Sequence, residues 1–110
     1  MAHLRTEQFR VLFLGADNRL VRDEVMWEGT TENVAIYPRE IMRRALEVGA
    51  HHLIVAHNHP SGDPRPSAAD RGLTIRLARA GDWIGVQLQD HLIFAHEGYF
   101  SMRAARMLDS

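Results

Sequence analysis

Residues 53–70 admit few folds, because the wholly apolar run Leu53-Ile54-Val55-Ala56 leads straight into HNHPSGDPRPSAAD. A run that short and that apolar reads as a strand. Pro60 to Pro66 then makes a rigid loop, its prolines fixing backbone angles while Gly62 permits a tight turn. A helix begins at Ser67, with Leu73, Leu77 and Ala80 on one face, and Gly81 is expected to end it. Strand, loop and helix thus gather polar side chains at the end of a strand. Residues two apart in a strand point to the same face, so His57 and His59 can aim their rings at one point.

The flanks supply a sheet for this unit. Phe9, Val11 and Phe13 alternate with Arg10, Leu12 and Leu14, which predicts a strand over residues 8–14. Gly15-Ala16-Asp17-Asn18 reads as a turn into a second strand over 19–28, closed by Gly29-Thr30-Thr31, giving an antiparallel hairpin. A short strand is expected from Val34 to Tyr37. Pro38 suits a first helical position, and Ile41, Met42, Ala45, Leu46 and Val48 form an apolar stripe up to a cap at Gly49. Beyond the second helix, Val86–Leu88 and His91–Phe94 read as two short strands or one bent one, Gly98–Ser101 as an edge segment, and residues 102–110 as a short helix or frayed end. Interleaved helices and strands predict the α/β class, and the hairpin calls for a mixed sheet.

At 110 residues the chain fits one domain with a single core. Hydrophobic residues at 45% and charged residues at 25% are ordinary for globular proteins, which argues against disordered and fibrous classes. No stretch approaches the roughly 18 to 20 apolar residues of a membrane span, MAHLRTEQ lacks the apolar core of a secretory signal, and a cytoplasmic location is expected. The 13 basic residues, all arginine, stand against 14 acidic ones, without the basic excess of a dedicated nucleic-acid binder. Arg39, Arg43, Arg44, Arg71, Arg76 and Arg79 read as solvated helix faces.

The chain has no cysteine and seven histidines, so a bound zinc would have to use nitrogen and oxygen donors. Asp70, in the first turn of the second helix, is the natural partner of His57 and His59. Two imidazoles, a carboxylate and an open position occupied by water make a catalytic type of zinc site. The same letters carry a plainer meaning, since Ser67-Ala68-Ala69-Asp70 has the form of a capping box.

Taken together, His57-x-His59-Pro60, six residues, Ser67, two residues and Asp70 resemble the signature of the JAMM (JAB or MPN-plus) metalloproteases. AHNHPSGDPRPSAAD, with the flanking GTTENVAIYPREIMRRAL and DHLIFAHEGYFS, is similar to the RadC branch over nearly the whole chain. The resemblance implies a three-layer α/β/α fold with a mixed, largely antiparallel sheet, related in layout to cytidine deaminases. It implies that residues 1–110 are one RadC-like domain, normally C-terminal to a helical region with a helix-hairpin-helix. It also implies one zinc ion held by His57, His59 and Asp70 with water as fourth ligand, and Ser67 hydrogen-bonding a developing oxyanion. The superfamily further needs a glutamate ahead of the histidines, which takes a proton from that water and delivers it to the leaving group. Glu7 fits that place. Glu24, Glu28, Glu32 and Glu40 also lie upstream, and Glu40 has a sufficient role at a helix N-terminus.

Other residues read as structural. Asp63 belongs to a Gly-Asp-Pro turn, Asn58 points to the opposite strand face, and His51 stands about 20 Å from His57 along the strand, too far to ligate. Asp90-His91 has the form of a carboxylate orienting an imidazole, although a histidine bonded to backbone on a half-buried strand is the plainer reading. The expected function is zinc-dependent hydrolysis of a peptide or isopeptide. The alternative is a non-catalytic metal-binding or DNA-repair-associated interaction module. A zinc deaminase would need the cysteines of a P-C-x-x-C motif, and this chain has none.

Overall fold

The computed structural model describes residues 1–2, 4–29 and 36–108. Strands β1 (Glu7–Leu14) and β2 (Leu20–Gly29) form the expected hairpin, turned at Asn18, whose φ of 63° is in the left-handed region that asparagine tolerates. Helix α1 (Pro38–Val48) starts on its proline and stops at Gly49 with φ 74°. Strand β3 (His52–Asn58), helix α2 (Ala68–Ile84), strand β4 (Gln87–Ala95) and strand β5 (Gly98–Ser101) complete the order. Residues 102–106 form turns rather than a regular helix. Residues 34 and 35 of the expected short strand lie outside the described residues, and Ile36 and Tyr37 lead into α1 without pairing.

The five strands run in the order β2-β1-β3-β4-β5, with β3 and β4 parallel and every other pair antiparallel. The α/β class and the mixed, largely antiparallel sheet are as expected. Both crossovers, β2-α1-β3 and β3-α2-β4, step across the sheet in the same direction, so the right-handed rule puts both helices on one face. Phe9, Val11 and Phe13 of β1 and Leu53 and Val55 of β3 pack there against Ile41, Met42 and Ala45 of α1 and Leu73 and Leu77 of α2. On the other face Leu12, Ile54, Leu92 and Phe94 are half-buried, and no described helix forms the further layer of a three-layer sandwich.

The Val86–Leu88 and His91–Phe94 candidates are one strand, β4, the second of the two expected alternatives, and its register against β3 shifts between Leu53 and Ile54. One boundary differs from local reading. Helix α2 does not stop at Gly81 but continues to Ile84, with Gly85 at φ 75° as its cap. Gly81 is there for space, since a methyl group on it would collide with the carbonyl oxygen of Val86 where the chain turns back toward β4.

Candidate metal centre

The sheet register assembles the site. Antiparallel pairing sets Phe9 opposite His57, and the same register continued two residues further sets Glu7 opposite His59. The start of β1 therefore meets the end of β3, and the first turn of α2 closes over both. His57 Nε2 lies 3.0 Å from His59 Nε2 and 3.3 Å from Asp70 Oδ1, and His59 Nε2 lies 3.1 Å from Asp70 Oδ2. Glu7 Oε1 is 4.0 Å from His57 Nε2. The other upstream glutamates are elsewhere: Glu24 and Glu47 pair with Arg44 on α1, Glu28 is exposed on β2, Glu40 is exposed in the first turn of α1, and Glu32 lies outside the described residues.

Asp70 and Ser67 form the capping box that the sequence allowed, and the Asp70 carboxylate also faces the two imidazoles. Ser67 Oγ accepts the Asp70 N–H at 3.0 Å, and Asp70 Oδ2 accepts the Ser67 N–H at 2.8 Å, a complete capping box. The same Oδ2 faces His59, so the cap also fixes the carboxylate against the imidazoles. Burial alone would raise the Asp70 carboxyl; the two imidazoles that face it, His57 and His59, outweigh burial and hold the group well below the usual carboxylate range. Glu7 moves the other way, pushed up by burial against a smaller lowering by the two histidines. Their surroundings thus shift the two carboxyls in opposite directions.

Each imidazole is oriented from behind. His59 Nδ1 lies 2.9 Å from the Asp63 carbonyl, which can only accept, so Nδ1 carries the proton and Nε2 is the free donor atom. Asp63 contributes its main chain, while its carboxylate holds Arg65. Behind His57 stands His91, which sequence reading had paired with Asp90 or with backbone. Asp90 instead accepts its neighbour's main-chain N–H and the Ser101 hydroxyl. The His91 ring, fully buried, sets Nε2 at 2.7 Å from His57 Nδ1 and Nδ1 at 2.6 Å from Thr74 Oγ1. Asn58 does point to the opposite face, and there its side chain takes Gln8 N–H at 2.6 Å and donates to the Thr6 carbonyl at 2.9 Å, gripping the backbone on both sides of Glu7.

The donor set fits a metal ion. Tetrahedral arms of about 2.0 to 2.2 Å to nitrogen and oxygen give edges of roughly 3.3 to 3.6 Å. The two imidazole nitrogens are 3.0 Å apart, and the Asp70 carboxylate meets each with a different oxygen, Oδ1 at 3.3 Å from His57 and Oδ2 at 3.1 Å from His59, so the separations are of that order. Glu7, His57 and His59 also form a group whose donor atoms all lie within 4.8 Å, so either carboxylate can complete a His/His/carboxylate set. Two imidazole lone pairs and a carboxylate facing one another at this range repel unless a cation sits among them. Without a metal a proton serves: His59 is raised, first by its hydrogen bond to Asp70 and then by that to Asp63, against the lowering due to burial.

A family model for the RadC-like JAB domain matches residues 1–107. This chain belongs to the RadC-like JAB family. The UPF0758 protein of Rhodobacter capsulatus is 49% identical over 108 residues, covering 98% of this chain and 50% of that protein. A UPF0758 protein of Ruegeria pomeroyi is 49% identical over 104 residues, and one of Symbiobacterium thermophilum 46% identical over 108; each is covered over 46% of its length. The RadC-like chain therefore spans about half the length of the curated relatives it matches. The five-stranded sheet with its two helices is consistent with the JAB/MPN architecture. No described helix is long and apolar enough to cross a membrane.

Proposed function

We propose that this RadC-like domain is a zinc-dependent hydrolase of JAMM type that cleaves an amide bond in a peptide or isopeptide. The observation that carries the reading is the convergence of His57 Nε2 and His59 Nε2, 3.0 Å apart, with the two oxygens of the Asp70 carboxylate, one 3.3 Å from His57 and the other 3.1 Å from His59, a His/His/carboxylate set of the zinc type. Asp70 is the third ligand rather than Glu7, because it is ionised, pinned by the Ser67 N–H and near both imidazoles, whereas Glu7 stands 4.0 Å back. Bound there, zinc supplies Lewis acidity and lowers the pKa of a water in its sphere from about 15.7 to roughly 7.

The remaining work falls to the chain's own groups. Glu7, raised by burial, is suited to hold a proton taken at the site and return it to the departing amine, since general acid–base efficiency is greatest when the group's pKa approaches the working pH. Ser67 uses its oxygen as the helix cap and keeps its own hydroxyl proton to offer a developing oxyanion.

Metal analysis of protein purified without added zinc, compared with His59→Ala and Asp70→Ala, tests the site. Near-stoichiometric zinc in the wild type and loss in both variants is expected; equal zinc in all three refutes it. Peptide and isopeptide libraries then separate enzyme from scaffold. Glu7→Gln should retain zinc and lose cleavage, and a wild type that holds zinc but cleaves no amide would favour the non-catalytic, interaction-module reading.

A further inference from the structure

We infer that Thr74 and His91 act as positioning residues that lock His57 in one tautomer, with its proton on Nδ1 and the Nε2 lone pair aimed at the site. The inference concerns how the ligand set is held, and its link to metal affinity rests on the function proposed above. The tautomer itself does not.

The argument starts at the end of the chain of contacts, where the direction is fixed. Thr74 Oγ1 has a single proton and three polar neighbours: the Asp70 carbonyl oxygen at 2.8 Å, Met102 Sδ at 3.2 Å and His91 Nδ1 at 2.6 Å. A carbonyl oxygen cannot donate, and a thioether sulfur is at most a weak acceptor. If the hydroxyl proton pointed at His91, the oxygen's lone pairs would face the carbonyl and the sulfur. With the proton on the Asp70 carbonyl, Oγ1 is left to accept, and His91 Nδ1 has to donate. A neutral His91 protonated at Nδ1 has only a lone pair on Nε2, so the 2.7 Å contact requires His57 Nδ1 to donate to it. A neutral His57 protonated at Nδ1 then presents Nε2 bare.

The fold keeps this relay in register. Asp70 and Thr74 lie four apart on α2, one above the other on the same face, so the hydroxyl anchors to the residue whose carboxylate enters the site. His91 lies on β4 beside Val55, one alternation before the level of His57, and parallel pairing carries its ring to the back of the His57 ring. Thr74, His57 and His91 are all buried, which leaves no water to reverse a bond. A carbonyl holds the Nδ1 proton of His59, and a hydroxyl and an imidazole do the same for His57. Both ligand histidines are thereby set with Nε2 toward one point.

The test uses metal-free protein with ¹⁵N-labelled histidine. Two-bond ¹H–¹⁵N spectra distinguish protonated from bare ring nitrogens at each site. The wild type is expected to show His57 protonated at Nδ1 with Nε2 bare. Thr74→Val, close in shape, leaves His91 Nδ1 against a methyl group, where a buried N–H without an acceptor is disfavoured. His91 then shifts its proton to Nε2 and His57 moves to the Nε2–H form. Zinc affinity, measured by competition with a chromophoric chelator, should fall about 10- to 100-fold, the range for loss of a group behind a histidine ligand. Thr74→Ser should restore both the tautomer and the affinity.

A wild type with His57 protonated at Nε2 overturns the inference directly, with no variant needed. So does a folded Thr74→Val that keeps the Nδ1–H form with zinc affinity within about twofold of the wild type. If the wild type shows the expected tautomer but binds no zinc, the positioning inference stands and the hydrolase proposal fails.

Discussion

Asn58→Ala perturbs the geometry of Glu7 without altering the side chains of His57, His59 or Asp70. The Asn58 side chain is 1% exposed and makes two hydrogen bonds to β1 backbone, to Gln8 N–H at 2.6 Å and Thr6 O at 2.9 Å. Thr6 is exposed, so its carbonyl can turn to water when the amide is removed. Gln8 is only partly exposed, and its N–H loses a partner at the point where main-chain pairing between β1 and β3 has ended. An unsatisfied buried donor costs about 1 to 3 kcal/mol, and the vacated side-chain volume adds to this, so a loss of about 2 to 3 kcal/mol is expected.

Unfolding entropy of about 2.1 cal/mol/K per residue makes each kcal/mol worth roughly 4 °C for a domain of this length, so the metal-free protein should melt roughly 10 °C lower. Hydrogen exchange should report where the loss falls, with faster exchange at residues 7–9 and little change in α1. Zinc stoichiometry should survive, because His57, His59 and Asp70 keep their own supports, whereas any Glu7-dependent cleavage should drop. Asn58→Asp keeps an acceptor for Gln8 but turns a lone pair on the Thr6 carbonyl and should do no better. A melting point within about 2 °C of the wild type, with exchange at residues 7–9 unchanged, refutes the clamp.

Two further outcomes follow from the same structure. Gly72 and Gly81 both lie within α2, where alanine normally gains about 0.8 to 1.0 kcal/mol over glycine. Nothing lies near a methyl group at Gly72, so Gly72→Ala should raise the urea midpoint. At Gly81 it meets the Val86 carbonyl, so Gly81→Ala should lower stability by about 1 to 3 kcal/mol, and equal signs for the two would show that Gly81 is not set by contact. The second concerns acid. Burial, with a smaller push from His57, lowers His91 to about 3, so between pH 6.5 and 3 the unfolded chain binds a proton that the native state refuses. Stability of the metal-free protein should fall as pH drops through that window, by up to about 1.4 kcal/mol per unit from His91. Glu7 partly offsets this above pH 4.5, because its raised carboxyl takes up its proton first in the native state, and Asp70 adds a loss below its ordinary 3.8. Urea midpoints that stay flat from pH 6 to pH 4 would refute this.

How much of this was legible in the sequence depended on the range over which each feature is decided. The hairpin, α1, and the passage from β3 through the proline loop to Ser67 are local. Alternation, Pro38, Gly49 and the Ser67–Asp70 spacing write them into a few neighbouring letters. The end of α2 was misread for the same reason: glycine commonly stops a helix, and Gly81 looked like a stop. Its actual reason is a carbonyl five residues on, visible only once the chain has turned back toward β4.

The site divides along the same line. His59 takes its orientation from Asp63, four residues away, in a turn that the Gly-Asp-Pro letters already announce. His57 takes its orientation from His91, 34 residues away, through a parallel strand pair whose shifted register no local pattern encodes. The dipeptide Asp90-His91 invited the reading that the carboxylate serves its neighbour's ring. Adjacent residues on a strand point to opposite faces, however, so Asp90 was badly placed for that role and a partner on another element had to be found. Choosing Glu7 among six upstream glutamates is the same problem. Spacing from the histidines does not single it out, but the pairing of Phe9 with His57 does, because it fixes which glutamate stands opposite His59. In this fold the proposed ligand atoms follow from local sequence, and the groups that aim them follow from strand register. A substitution that moved the β1–β3 pairing by one residue would turn Glu7 to the opposite face and leave every letter of the histidine motif intact.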